Sequence, residues 1–174
     1  MYKKEYEGIL LALDTASRRT GYAIFQNGEV IKSGTWKLKE KSRFADLLQN
    51  IEKTVSKYHI TQIVAEDIFK SKEPQKTRAY QVLCECRGIV ECVAQNHGLP
   101  CTFISPIEVK QHIWGMRYKA PFTREQQKRA MIKAITERYG YTLASSDADD
   151  EADAIGILVT FLDNKGFHVM HPRK

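Results

Sequence analysis

Carboxylates close or open three segments that are otherwise apolar. The run ILLAL ends at Asp14, the run IVA ends at Glu66 and Asp67, and the helical pattern DDEADAIGILVTFL begins with Asp150 and Asp153 on its apolar side. Carboxylate oxygens are the ligands that hard divalent cations prefer, and ions held in this way can promote hydrolysis of a phosphate ester. The residue types therefore indicate metal-dependent chemistry, if the three segments meet.

Each segment also has an ordinary explanation. A strand-terminal Asp caps turns, a strand-terminal Glu ends in solvent, and acids are favoured in the first turn of a helix. Considered together, the acids favour one shared site, because the apolar flanks of the three segments should pack at the centre of one sheet. Four carboxylates gathered there would raise one another's pKa, and two Mg²⁺ ions about 4 Å apart would relieve that repulsion. Only one of Glu66 and Asp67 can take part, since neighbouring strand residues point to opposite faces.

The elements that must position these acids follow from hydrophobic periodicity. Asn27-Gly28 between two alternating runs predicts a hairpin, and Ser42 and Ser105-Pro106 are expected at helix N-termini. The order of elements predicts an α/β fold, with a mixed sheet and helices on both of its faces. We expect strands ending at Asp14 and over 21–26, 29–38, 60–69 and 101–104, and helices over 42–57, 77–96, 106–114, 123–139 and 149–162.

Composition limits the class of protein. The chain has 174 residues, 43% of them hydrophobic and 28% charged, as expected for one globular domain. Its net charge is +6, although five acids lie within the seven residues 147–153, which suits a polyanion-binding protein with one metal site. A basic soluble protein with one acidic turn is the alternative.

Other classes lack support in the sequence. Neither glycine-rich phosphate-loop motif occurs, so nucleotide binding by those loops is not expected. No signal peptide or membrane span is evident, which predicts a cytoplasmic location without membrane contact. The four cysteines lack zinc-site spacing and are expected to be reduced thiols, and no histidine is assigned a metal. A stripe on the second helix could be core or a homodimer seam: Leu83, Cys86, Val90 and Val93.

Five motifs, in order and at these separations, resemble the RuvC family of Holliday-junction resolvases: ALDTASRRTGYAIF, VAEDIF, CRGIVE, SPIEVKQHIWG and DDEADAIGI. The resemblance covers residues 9–162. It implies a single nuclease domain over 1–174, with the ribonuclease H-like fold, a five-stranded sheet and a C-terminal tail over 163–174.

The resemblance also implies roles for particular residues. Asp14, Glu66, Asp150 and Asp153 would hold two Mg²⁺ ions, for which Mn²⁺ could substitute, and a phosphodiester would be cut to leave a 5′-phosphate and a 3′-hydroxyl. Lys110 would lie near the scissile phosphate. Phe69 would stack on bases near the crossover, although an ordinary core position at the strand end is equally compatible with the sequence.

The expected function is a metal-dependent endonuclease that resolves four-way DNA junctions by paired symmetric nicks. Two nicks imply a homodimer, with the second-helix stripe as its interface. A second catalytic cation is expected among Lys119, Arg124 and Lys128, and phosphates would be held by a basic surface: Arg18, Arg19, Lys70, Lys72, Lys76, Arg78, Arg117 and Lys119. Cleavage of flaps and forks, cleavage of RNA in hybrids, and non-catalytic binding of branched DNA remain open, as does a helicase partner.

Two departures from the family pattern stand out. DTAS replaces the usual DPGS turn, which leaves the geometry around Thr15 and Ala16 open. The segment after Lys110 is also longer than usual. These departures suggest a divergent branch, such as a bacteriophage-encoded member.

Overall fold

A five-stranded sheet forms the centre of the computed structural model, which describes residues 5–68, 77–115, 123–144 and 148–167. Its strands span Ile9–Thr15 (β1), Arg19–Gln26 (β2), Glu29–Lys37 (β3), Gln62–Glu66 (β4) and Cys101–Ile104 (β5). They lie in the order β3-β2-β1-β4-β5. β1, β2 and β3 form an antiparallel meander, and β1, β4 and β5 are parallel.

In the described part of the chain, five α-helices cover the two faces of this sheet, as the sequence predicts. The helices span Arg43–Tyr58 (α1), Arg78–Asn96 (α2), Pro106–Trp114 (α3), Arg124–Lys133 (α4) and Asp149–Asn164 (α5). α1 and α2 pack on the face that carries Leu11 and Leu13, whereas α3, α4 and α5 pack on the face that carries Leu10 and Ala12. None of the helices in the described ranges is long and apolar enough to span a membrane.

Local sequence signals explain several of the element boundaries. Asn27 and Gly28 both have positive φ, 51° and 87°, as a tight hairpin turn between β2 and β3 requires. The Ser105 hydroxyl accepts a hydrogen bond from the Glu108 N–H, and Pro106 occupies the first turn of α3. Ser42 occupies the N-cap position of α1, as predicted, although its side chain makes no capping hydrogen bond.

Other boundaries differ from the periodicity. β4 ends at Glu66, three residues before its predicted end. The predicted helix over 123–139 is α-helical only as far as Lys133 and continues as a π-helical turn, Ala134–Arg138. Met131, Ile135 and Tyr139 are buried at intervals of four residues, a spacing compatible with both an α-helix and a π turn, so apolar spacing alone does not distinguish them.

The stripe on α2 is core and not a dimer seam. Cys86, Val90 and Val93 are completely buried against the sheet of the same chain. Leu83, the fourth member, lines a cleft at the end of the sheet. The proposed interface was therefore wrong, because the side chains of Cys86, Val90 and Val93 are not exposed and cannot contact a second copy. The four cysteines are free thiols, as predicted.

Candidate active site

A cleft of about 560 Å³ opens where β1 and β4 end beside the start of α5. β1 and β4 are parallel, with Leu13 opposite Ala65, so the next residues, Asp14 and Glu66, emerge side by side. α5 contributes Asp150 and Asp153, which lie one turn apart at its N-terminus. The four predicted carboxylates therefore line one cavity: Asp14, Glu66, Asp150 and Asp153.

Asp67 faces away from this cleft. Its Oδ1 lies 3.2 Å from Nε of Arg87 on α2 and accepts a hydrogen bond from the Ile68 N–H. The alternation of side chains along β4 thus separates the two adjacent acids, Glu66 toward the cleft and Asp67 toward an arginine.

Gly21 permits the close approach of α5 to the sheet. It pairs with Asp14 across β1 and β2, and a Cβ built on it would lie 1.7 Å from the Asp150 carbonyl oxygen. Only glycine allows the backbone of α5 to lie this close, so Gly21 sets the position of Asp150 relative to Asp14. Our sequence analysis did not single out this residue, although a glycine within a strand is itself a signal of close backbone approach.

The turn between β1 and β2 forms without the glycine and proline of the usual DPGS motif. The Ala16 N–H donates a hydrogen bond to the Arg19 carbonyl at 3.1 Å, and neither Ala16 nor Ser17 has a positive φ. The DTAS sequence therefore closes this turn with ordinary backbone angles, and both residues line the cleft.

The electrostatics of the cleft are dominated by carboxylates that are buried and lie close to one another. Burial, followed by the charges of the other acids, raises the pKa of Asp14 well above its usual range. Burial likewise raises the pKa of Glu66 and of Asp153 to about 7, an effect that the nearby Lys110 charge partly opposes. These carboxyl groups therefore lack sufficient positive charge from the protein itself.

Positively charged side chains are present in the cleft, but Arg19 and Lys128 form their ion pairs with Asp149 and Asp150 at the start of α5. Arg19 Nε lies 2.8 Å from Asp150 Oδ2, and its terminal nitrogen lies 3.4 Å from Asp149 Oδ1. Lys128 of α4 also pairs with Asp149. Burial by itself raises the pKa of Asp149, but the hydrogen bond and charge of Lys128, together with Arg19, outweigh it and lower that pKa. Asp149 was not among the predicted site residues, because nothing in the sequence relates it to Arg19, 130 positions away.

Lys110 lies on α3 at the wall of the cleft. Its Nζ donates a hydrogen bond to Gln127 Oε1 of α4 at 3.1 Å, which fixes the end of a flexible side chain. Arg124 lines the same cleft. Of the cations predicted to hold DNA, Arg78 pairs with Glu85 instead, at 2.9 Å, and Arg18 is exposed. The remaining predicted contacts lie outside the described residues: Phe69, Lys70, Lys72, Lys76, Arg117 and Lys119.

The donor set suits a hard divalent cation. Carboxylate oxygens are the preferred ligands of Mg²⁺ and Mn²⁺, and the raised pKa values report a deficit of positive charge that such ions would supply. As the side chains lie, no three acidic, histidine or cysteine residues of the described ranges are close enough together to hold an ion. Coordination of one ion by three of these groups therefore requires side-chain rotation.

Solved structures share this fold. A Thermus thermophilus RuvC structure aligns with a TM-score of 0.65 at 18% identity, over 91% of this chain and 96% of that one. The T. thermophilus RuvC solved in complex with a Holliday junction substrate aligns with a TM-score of 0.64 at 15% identity, over 88% and 92%. With acidic side chains at the ends of its central strands, the protein is of the ribonuclease H-like class.

Sequence comparison narrows this class to a family. A sequence model described as crossover junction endodeoxyribonuclease RuvC matches residues 10–161. The RuvC of Anaeromyxobacter sp. (strain K) is 27% identical over 168 residues, covering 92% of this chain and 84% of that protein. The RuvC of Citrifermentans bemidjiense is 25% identical over 172 residues, covering 93% and 96%. The chain belongs to the RuvC family of crossover junction endodeoxyribonucleases.

Proposed function

We propose that this protein is a metal-dependent endonuclease that resolves four-way DNA junctions by paired nicks. The observation that carries the proposal is the meeting of four carboxylates from β1, β4 and α5 in one cleft of a basic molecule. A protein that only binds DNA gains nothing from anionic groups that repel phosphate. Family membership supports the same reaction.

The roles of the side chains follow from their places in the cleft. Asp14, Glu66, Asp150 and Asp153 would hold two Mg²⁺ ions, with Mn²⁺ as a substitute. When bound, such ions supply the charge that activates water and stabilises a phosphate under attack. Lys110, oriented by Gln127, is placed to neutralise negative charge that develops on the phosphate. Arg124 and Lys128 on α4 are the described candidates for a second cation near the substrate.

Two symmetric nicks require two active sites, so the active form is proposed to be a homodimer. Its interface must use surfaces other than the buried stripe of α2. Sedimentation equilibrium of the purified protein should give a mass of about 40 kDa, twice the 20.0 kDa of the chain. Binding of a single chain to each junction would contradict paired nicking by one protein particle.

The decisive experiment compares a synthetic immobile four-way junction with a linear duplex of the same sequence, in Mg²⁺ or in EDTA. We expect symmetric nicks in the junction alone and only with the metal. Equal cutting of flaps and forks would broaden the activity to branched DNA in general, and preferential cutting of RNA in a hybrid would replace the proposed substrate.

The Asp14→Asn variant tests the metal site in the same assay. It should lose cleavage and still bind the junction, because the substitution removes a metal ligand and also one negative charge that faces phosphate. Tight binding without cutting by the unmodified protein, in Mg²⁺ and in Mn²⁺, would leave a binding protein and remove the nuclease proposal.

A further inference from the structure

Arg19 pairs directly with one of the four carboxylates assigned to the metal site. Its Nε lies 2.8 Å from Asp150 Oδ2, which is the distance of a close ion pair. The Asp150 side chain is only 15% exposed, so this oxygen has little water as an alternative partner. The guanidinium therefore supplies positive charge beside an oxygen that a divalent cation would otherwise neutralise.

Asp149 holds Arg19 in that position. Its Oδ1 lies 3.4 Å from the Arg19 terminal nitrogen, and its other oxygen pairs with Lys128 of α4. The arrangement joins β2, α4 and α5 through one buried carboxylate, which is 8% exposed. Because Arg19 contacts two adjacent acids, the orientation of its guanidinium is fixed.

Arg19 is also accessible to solvent on one side. Its side chain is 46% exposed at the rim of the cleft. The other three carboxylates, Asp14, Glu66 and Asp153, lie deeper, and no arginine in the described part of the chain forms an ion pair with them. Among the described residues, Arg19 is thus the cation in direct contact with Asp150, beside the more distant charges of Lys128 and Arg124, and solvent or a phosphate can reach it.

We propose that Arg19 is a built-in counter-ion of Asp150, which a divalent cation must displace in order to bind. The inference rests on the proposed function, since it assumes that Asp150 is a metal ligand. Arg19 is then a positioning residue: it weakens metal binding in the free protein and suppresses repulsion among the acids until DNA arrives. A phosphate at the rim would draw Arg19 away and leave Asp150 available.

Calorimetric titration with Mn²⁺, without DNA, tests this inference. Arg19→Gln should bind Mn²⁺ about 3- to 10-fold more tightly than the unmodified protein, because a competing charge is gone. Arg19→Lys, which keeps a cation that can reach Asp150, should remain close to the unmodified protein. Arg18→Gln is the matched control: it removes the same charge from the exposed neighbour and should change the affinity less than twofold.

The outcomes separate this inference from the proposed function. If the unmodified protein and Asp14→Asn both fail to bind Mn²⁺, the metal site itself is wrong. If the unmodified protein binds Mn²⁺, Asp14→Asn does not, and Arg19→Gln shows no gain, then only the role of Arg19 is overturned. An equal gain in Arg18→Gln would also overturn it, because the effect would then be one of net charge. Arg19→Ala provides a second variant if Arg19→Gln does not unfold cooperatively.

Discussion

Glu66 and Asp67 are adjacent acids with opposite surroundings. Glu66 lines the cleft beside Asp14, whereas Asp67 pairs with Arg87 on the other side of β4. Glu66→Gln should reduce junction cleavage at least 100-fold, because it removes a proposed metal ligand. Asp67→Asn, the matched control, should retain most of the activity and lose less than about 1 kcal/mol of stability with its partly exposed ion pair.

Initial cleavage rates and urea unfolding of the two variants give both quantities. Severe loss of cleavage in Asp67→Asn with little loss in Glu66→Gln would mean that the wrong face of β4 has been assigned to the site.

The buried acids also make stability depend on pH. The pKa of Asp153 is raised to about 7 in the folded protein by burial and by its acidic neighbours, whereas the unfolded chain titrates near 4. The folded state therefore holds this proton more tightly, so stability is greatest below pH 4 for this group and is lost as pH rises toward 7. We expect the metal-free protein to melt at a lower temperature at pH 8 than at pH 5.

Asp153→Asn provides the check on that expectation. The amide resembles the protonated acid, so the variant should be on the order of 1–2 kcal/mol more stable than the unmodified protein at pH 8, with a smaller gain at pH 5. Thermal unfolding in EDTA at the two pH values measures this difference. A variant that is destabilised equally at both would show that hydrogen bonding of Asp153, and not its charge, governs its contribution.

At the scale of elements, the contact between β2 and α5 positions the site. Gly21→Ala would place a methyl group inside the Asp150 backbone, so the strand and the helix must separate. We expect a loss of about 1–3 kcal/mol in the free energy of unfolding, together with weaker Mn²⁺ binding as Asp150 moves from Asp14. Denaturant unfolding and calorimetric titration would measure the two effects, and unchanged values of both would contradict this account of Gly21.

Gly88, in the middle of α2, is the contrasting position. A Cβ there meets nothing within 4 Å. Gly88→Ala should therefore raise the free energy of unfolding by about 0.5–1 kcal/mol, through helix propensity alone. A loss of stability that depends on protein concentration would instead reveal that this face of α2 packs against a second copy.

At the scale of the whole molecule, a net charge of +6 predicts that DNA binding weakens steeply with salt. Arg124, exposed at the start of α4 and lining the cleft, is the described cation whose contribution is simplest to isolate. Arg124→Gln, made in the Asp14→Asn background to prevent cutting, should reduce the slope of log affinity against log salt by about 1.

Fluorescence anisotropy of a labelled junction between 50 and 200 mM salt would measure this slope. Arg129→Gln is a suitable control, because that residue lies on the same helix and pairs with Glu125. An unchanged slope in Arg124→Gln would place the phosphate contacts elsewhere on the molecule.

The chain alone predicts the order of the elements and a sheet covered by helices on both faces. It also predicts acids at the ends of the central strands. Each depends on local information: apolar spacing defines a buried face, Asn27-Gly28 defines a hairpin, and a carboxylate after an apolar run marks where a strand leaves the core. The π turn after Lys133 could not be predicted, because an interval of four residues between apolar side chains fits an α-helix as well as a π turn.

Only the tertiary structure decided which surfaces and charges meet. Periodicity shows that one face of α2 is apolar but not what covers it, so the sequence left core and dimer seam both open, and the structure shows that the stripe packs on its own sheet. Arg19 and Asp149 are 130 positions apart, and no pattern in the sequence links them. Their pairing depends on where β2 and α5 come together, a long-range contact that Gly21 makes possible and that local propensities do not encode.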